Sequence, residues 1–152
     1  MKTLARPRDK AELLLRVRKV RPESQGRWGR MSAHQMICHL CDSFRIVTGD
    51  RSVSFASGVM QRTIVKWIAL YAPLPWPAGI PTVPEIDQEM GGTGPVDFLE
   101  DVAQLEALLE SVAARTSTAD WRAHPIFGPM SDTAWLRWAY LHVDHHLRQF
   151  GV

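Results

Sequence analysis

Three histidines of this chain have the type and spacing to hold one metal ion. His39 lies in one predicted helix, whereas His142 and His146 lie four residues apart in the last predicted helix. Side chains four apart share a helix face, and this face also carries Trp135 and Trp138. A neutral imidazole buried beside tryptophans needs a polar partner, and a shared cation supplies one. The spacing therefore predicts metal binding by His142 and His146, with His39 as the candidate third ligand.

This ligand set is typical of a catalytic rather than a structural metal site. Three neutral nitrogen ligands leave at least one coordination position for water or substrate. We expect a divalent transition metal, with zinc and nickel favoured, although three imidazoles also suit iron and copper. Spacing alone does not show which helices pair, so the contribution of His39 depends on the fold.

Four further polar residues are candidates for the same site. Asp42 follows His39 by about one turn and could orient a ligand or act as a base, and His145 is the second catalytic candidate. Gln149 and His124 are candidates for substrate contact or for a hydrogen bond to a metal ligand. The alternative for Asp42 and His145 is a solvated helix edge. The alternative for His124 is a turn residue that fixes the loop before the following proline.

The two cysteines, Cys38 and Cys41, form a Cys-x-x-Cys pair inside a predicted helix. The chain has no second pair for a four-thiolate zinc site, and no predicted strand precedes the motif as in thioredoxin-like folds. We therefore interpret both as small packing residues, with a redox role as the alternative. On the same helix, His34 falls nearly opposite His39 and is predicted to be exposed.

Helical patterns dominate the sequence, and strand patterns are nearly absent. The predicted helices run from Pro7 to Pro22, from the Ser32 capping box to about Thr48, from Gly58 to Tyr71, from Phe98 to near Arg115, and from Ser131 to Gly151. Long connections cover residues 73–94 and Ser117–Met130, and such connections often lie over a functional site. The sequence predicts one all-α domain over residues 1–152, in which the long helices bundle and one additional helix and long loops lie at an end.

Composition and charge exclude some classes of function. The chain has 152 residues, 45% of them hydrophobic, and a formal net charge of +2. Its most apolar region, residues 64–80, is too short and too interrupted by prolines to span a bilayer, so we expect a soluble cytoplasmic protein without membrane contact. The first 30 residues hold ten basic and three acidic side chains. We favour packing of this segment against the acidic stretch 85–110 over nucleic-acid binding, because no aromatic residue interleaves the basic run.

Three stretches carry a resemblance to a known family. They are Trp28-Gly29-Arg30-Met31-Ser32-Ala33-His34-Gln35-Met36 with His39, His124-Pro125-Ile126-Phe127-Gly128, and His142-Val143-Asp144-His145-His146-Leu147-Arg148-Gln149-Phe150. The chain resembles the DinB-like superfamily, in particular its branch with a domain of unknown function. The resemblance implies a four-helix bundle that binds a divalent metal through His39, His142 and His146. It also implies homodimers, which are common among the relatives.

The resemblance also suggests a reaction. Characterised relatives include bacterial thiol S-transferases that use bacillithiol and the mycothiol-dependent maleylpyruvate isomerase, so a low-molecular-weight thiol is an implied cofactor. Our leading hypothesis is a metal-dependent enzyme, an S-transferase acting on a small-molecule substrate. One alternative is a non-catalytic metal-binding module for dimerisation or stress-related binding, and another is a metal-dependent hydrolase. The branch has no settled reaction, so this step is an analogy from fold.

Overall fold

The computed structural model describes residues 1–55, 58–115 and 121–152. Within these ranges it contains five α-helices and no strand: α1 (Pro7–Val17), α2 (Ala33–Thr48), α3 (Lys66–Tyr71), α4 (Phe98–Ala113) and α5 (Asp132–Gln149). A π-helical segment, Gln61–Val65, precedes α3, and a short 3-10 helix spans Pro84–Ile86. The all-α class is therefore confirmed, whereas the four-helix-bundle topology stays a prediction. Residues 116–120, where the predicted loop Ser117–Met130 begins, lie outside the described ranges.

Helix α2 begins and ends where its sequence predicts. The Ser32 side chain accepts a hydrogen bond from the Gln35 backbone N–H, and the Gln35 side chain accepts one from the Ser32 backbone N–H. This reciprocal capping box satisfies two backbone donors that a helix start otherwise leaves unpaired. Gly49 ends the helix at a φ of 90°, a left-handed conformation that glycine adopts without steric cost. Local chemistry thus sets both ends of the helix that carries His39.

Helix α1 is shorter than its hydrophobic spacing predicts. The helix stops at Val17, and the Val20 N–H bonds to the Val17 carbonyl in a turn. Val20 is nevertheless buried. Its burial comes from this turn rather than from a continuing helix, so apolar spacing extended the predicted helix too far.

The helices enclose one main hydrophobic core. Helix α2 packs against α4 and α5, and α1 packs against α4 and α5. Phe44 of α2 and Trp135 of α5 are fully buried in this core, where truncation to Ala typically costs about 3–5 kcal/mol. No helix in the described part of the chain has both the length and the apolar character needed to cross a membrane.

The connection between α3 and α4 lies against His39 of α2 and His142 of α5. Trp76 is held there because its indole N–H donates to the Ala69 carbonyl over 2.7 Å. Farther along, the short helix Pro84–Ile86 contacts α2. This connection, together with α2 and α5, surrounds the candidate site.

Candidate metal centre

Helices α2 and α5 bring the three predicted ligands together. One ring nitrogen from each of His39, His142 and His146 lies within 4.8 Å of the other two. The Nε2 atoms of His39 and His142 are 3.4 Å apart. His39 and His146 are buried, and His142 is half-buried. We name these three residues the histidine centre.

The outer nitrogen of His39 is held by backbone. Its Nδ1–H donates to the Ile86 carbonyl, 3.0 Å away. A carbonyl only accepts hydrogen bonds, so the proton of the neutral ring must lie on Nδ1. The Nε2 lone pair of His39 consequently faces the centre and is available to a metal ion.

Gln149 fixes the ring of His146 in the same way. The His146 Nδ1–H donates to Gln149 Oε1 over 2.9 Å, and the Gln149 amide nitrogen donates to the Trp28 carbonyl over 2.7 Å. The second bond sets which end of the amide meets the imidazole. A Cβ atom at Gly29 would lie 2.7 Å from the Gln149 amide nitrogen, and Gly29 has a φ of +77°. Glycine is therefore required beside Trp28 for this support to form.

The three rings are neutral near pH 7 in the metal-free protein. Burial lowers the pKa of His39. Burial also lowers the pKa values of His142 and His146 well below their ordinary range, and the neighbouring imidazoles lower them further. Neutral imidazoles are the form that binds metal, so the centre needs little proton release to accept a cation.

The donor set and the separation of one nitrogen pair fit a tetrahedral metal ion. Two nitrogens that each lie about 2.0–2.1 Å from a tetrahedral zinc ion are about 3.4 Å apart, which matches the Nε2 separation of His39 and His142. Nδ1 of His142 has no hydrogen-bond partner among the described atoms. Neighbouring groups therefore fix the tautomers of His39 and His146 but not that of His142.

Asp42 lies on α2 but is committed to other partners. Its fully buried carboxylate accepts bonds of 2.8 Å from both Arg45 and Arg51, and bonds of 2.7 Å from the backbone N–H and the hydroxyl of Thr93. The solvated-edge interpretation of Asp42 is therefore wrong. Its negative charge also opposes the burial effect by raising the pKa of His39. A role as catalytic base stays a prediction.

His145 is buried beside the centre rather than placed on a solvated edge. Its ring centroid lies 5.1 Å from that of His146 and 6.0 Å from that of Trp76. Burial lowers the pKa of His145, and the charge of Arg148 lowers it further. His145 is thus a neutral imidazole next to the ligands, and its catalytic role stays a prediction.

His124 organises its own loop and also lines the same cavity as the centre. Its Nδ1 accepts the backbone N–H groups of Ile126 and Phe127, each over 3.1 Å. Nδ1 is therefore the acceptor, and the proton of the neutral ring lies on Nε2. Burial lowers the pKa of His124 to about 3, with a smaller contribution from Lys66. The turn role that the sequence offered as the alternative is present.

The histidine centre opens into a cavity of about 620 Å³. Trp76 and Trp138 lie against His142, with ring centroids 6.0 and 4.8 Å from its own. Sequence reasoning missed Trp76 and the carbonyls of Trp28 and Ile86. A backbone carbonyl carries no sequence signal, whereas the proline-rich passage around Trp76 was the available indication of a segment over the site.

A second cluster of ligand-type residues lies between α2 and α4. The imidazole Nε2 of His34 is 2.7 Å from a carboxylate oxygen of Asp101, and the Cys38 thiol donates to the same oxygen over 3.6 Å. The His34 side chain is only 18% exposed, so its predicted exposure is wrong. Burial and the charge of Asp101 raise the pKa of the Cys38 thiol to about 12. Cys38 and Cys41 are both buried and free, which agrees with the packing interpretation.

A family model described as a protein of unknown function (DUF1569) matches residues 9–151. No curated protein and no solved structure matches the chain significantly. The superfamily that the sequence resembles is not indicated by these comparisons and stays a prediction.

Proposed function

Because the chain belongs to DUF1569, a family whose function is unknown, its chemistry has to be argued from its own residues, and we propose that it is a metal-dependent enzyme. One observation carries the proposal. Two buried imidazoles donate their outer N–H groups to fixed acceptors, Ile86 and Gln149, and thereby keep their inner lone pairs for a cation. A divalent ion bound there would supply Lewis acidity, which lowers the pKa of a bound water or thiol to near neutrality.

The protein's own residues would bind, orient and shield. His39, His142 and His146 would hold the ion, while Ile86 and Gln149 would keep two of the rings in register. Three protein ligands leave a position for a reactant, and the adjoining cavity gives a small molecule access to it. We propose transfer to or from a low-molecular-weight thiol as the reaction, on the strength of the resemblance alone. Hydrolysis by an activated water is the alternative chemistry at the same centre.

Metal content and conjugation test this proposal in two steps. Protein purified without a histidine tag is expected to bind zinc or nickel in equimolar amount. The loaded protein is then incubated with bacillithiol, mycothiol or glutathione and monochlorobimane, with a protein-free control for spontaneous conjugation. We expect a metal-dependent conjugate with one thiol that His146→Ala does not form. Absence of stoichiometric metal after supplementation would contradict the enzyme proposal, and a metal-loaded protein that conjugates none of the thiols would contradict only the transferase reaction.

A non-catalytic module is the second candidate, because the centre joins two separate helices. An ion bound to His39 of α2 and to His142 and His146 of α5 would fasten these helices together. In that case chelation should lower the melting temperature strongly, and added exogenous ligand should not change the spectrum of a cobalt-substituted centre. The enzyme proposal predicts a spectral change, because an open coordination position accepts the ligand.

A further inference from the structure

The cavity beside the histidine centre is walled mainly by apolar side chains. Trp76, Trp135 and Trp138 line it together with aliphatic residues such as Ile46, Val83 and Ile86. Its volume of about 620 Å³ lies within the usual range of pockets that enclose a small organic ligand. Apolar walls offer water few hydrogen bonds. A hydrocarbon ligand, by contrast, is stabilised there because its apolar surface leaves water.

Polar residues also line part of the cavity, and the histidine centre and His145 are among them. Among the other lining residues, Arg30 pairs with Glu89 over 2.9 Å, and the Arg30 side chain is 84% exposed. The guanidinium is therefore solvated and already neutralised by a carboxylate. The described lining residues thus provide no buried cation for a strongly anionic ligand.

The mouth of the cavity exposes hydrocarbon in the free protein. Ile68 of α3, Leu74 and Ile80 all line the cavity, yet they are 50%, 70% and 51% exposed. Contiguous exposed apolar side chains around a concavity are typical of a ligand site. The apolar surface therefore runs from the solvent to the imidazoles.

We propose that the ligand is a small, mainly hydrocarbon or aromatic molecule with one uncharged or singly anionic metal-binding head. Its head would meet the ion held by His39, His142 and His146, and its body would fill the apolar cavity past Trp76 and Ile68. The placement of the head rests on the proposed metal function. The apolar character of the body rests on the cavity walls alone.

A chain-length series separates these two parts. n-Alkyl hydroxamic acids with four to ten carbons are titrated into zinc-loaded and chelator-treated protein, and Kd is measured by tryptophan fluorescence and calorimetry. We expect Kd to fall up to about fourfold for each added methylene until the cavity is full, with the same dependence in both forms. Zinc should lower every Kd in the series by a constant factor.

The possible outcomes distinguish failure of the inference from failure of the proposed function. A Kd independent of chain length would overturn the apolar ligand, even if zinc improved binding. A clear chain-length dependence in which zinc lowers none of the Kd values would support the apolar ligand and contradict the metal-held head, and with it the proposed function.

Matched variants locate the binding surface. Ile68→Gln changes a half-exposed residue of the cavity mouth, and Leu15→Gln changes a residue of α1 that is 60% exposed and does not line the cavity. Ile68→Gln should raise the Kd of the ten-carbon compound about fivefold, and Leu15→Gln should leave it unchanged. Leu74→Gln, in the loop after α3, provides a second cavity variant should Ile68→Gln fold poorly. Equal effects of cavity and control variants would place the hydrocarbon elsewhere and overturn the inference.

Discussion

The histidine centre and the His34–Cys38–Asp101 cluster each bring three side chains of metal-ligand type close together. In both, three potential ligand atoms lie within 4.8 Å of one another. The two clusters differ in how their hydrogen-bond donors and acceptors are paired. In the second cluster the imidazole and the thiol of Cys38 face a carboxylate that accepts from both, so the three groups satisfy each other. In the histidine centre, the outer N–H groups of His39 and His146 are already bonded, so both of these rings direct an acceptor nitrogen inward.

This difference is the reason that we propose the histidine centre, rather than the second cluster, as the metal site. Neutral imidazoles whose outer N–H groups are taken by Ile86 and Gln149 present lone pairs to each other, an arrangement that a positive ion stabilises. In the second cluster, by contrast, the Asp101 carboxylate accepts the hydrogen bond of His34, so the protein itself satisfies that imidazole. Proximity of ligand-type residues is therefore a weaker criterion than the direction of their outer hydrogen bonds.

Removal of one ligand should have the largest effect on this comparison. We expect His146→Ala to abolish equimolar zinc binding, because it removes a nitrogen from the centre and leaves two. His34→Ala, the matched change in the other cluster, should bind zinc like the parent protein. Elemental analysis of untagged, zinc-loaded protein after gel filtration measures both. Zinc loss in His34→Ala with retention in His146→Ala would reverse the assignment.

Removal of the outer support should have a smaller effect. Gln149→Met keeps the length of the side chain but loses the bonds to His146 and to the Trp28 carbonyl. We expect the zinc affinity to fall by about 10–100-fold, the usual effect of losing an outer hydrogen bond to a metal ligand. Competition with a chromophoric chelator measures it. Gln104→Met is the control, since the exposed Gln104 bonds only Arg45 among the described residues, and an equal loss there would argue against a specific role for Gln149.

The sequence carries enough information to predict the helices and the three histidines of the centre, but not the groups that hydrogen-bond to those histidines. The capping box at Ser32 and the spacing of His142 and His146 are local patterns, which short-range chemistry determines. The Ile86 carbonyl reaches His39 across 47 residues of chain. Any residue type provides a carbonyl, so the contact depends on the path of the loop and has no signature in the sequence.

The same limit explains the two misplaced polar side chains. The position of His34 opposite His39 on its helix predicts exposure, yet α4 covers that side and contributes Asp101. A solvated edge is the alternative for Asp42, yet the segment after α2 brings Arg51 to it and the connection between α3 and α4 brings Thr93. A helical wheel gives the direction of a side chain, and only tertiary packing decides what lies there.

His124 is a third kind of buried imidazole, because its Nδ1 already accepts two backbone N–H groups. Its titration should affect stability. Its pKa is about 3 in the folded protein, below the ordinary value of 6.5. The unfolded chain therefore binds one more proton between these values, so stability is complete above about pH 6.5 and is lost as the pH falls. Between pH 7 and pH 5 this site should cost about 2 kcal/mol. Urea unfolding of chelator-treated protein at both pH values measures the loss.

His124→Asn provides the control for that titration. The Asn side-chain oxygen can accept the backbone N–H groups of Ile126 and Phe127, as Nδ1 of His124 does, but it does not titrate. The variant should lose about 2 kcal/mol less stability than the parent protein between pH 7 and pH 5. Equal losses would show that the acid sensitivity arises at the other buried histidines.

The smallest expected effect concerns the hydrogen bond between His34 and Asp101 in the second cluster. Asp101→Asn keeps an acceptor for His34 but removes the negative charge, and the pair is partly solvated. We expect a loss of about 0.5–1 kcal/mol in the free energy of unfolding with unchanged zinc affinity. Glu100→Gln removes a charge from the same first turn of α4 without touching His34, so it reproduces the effect on the helix dipole alone. The difference between the two variants in urea unfolding therefore isolates the pair. A fall in zinc affinity confined to Asp101→Asn would mean that the second cluster, and not only the histidine centre, holds metal.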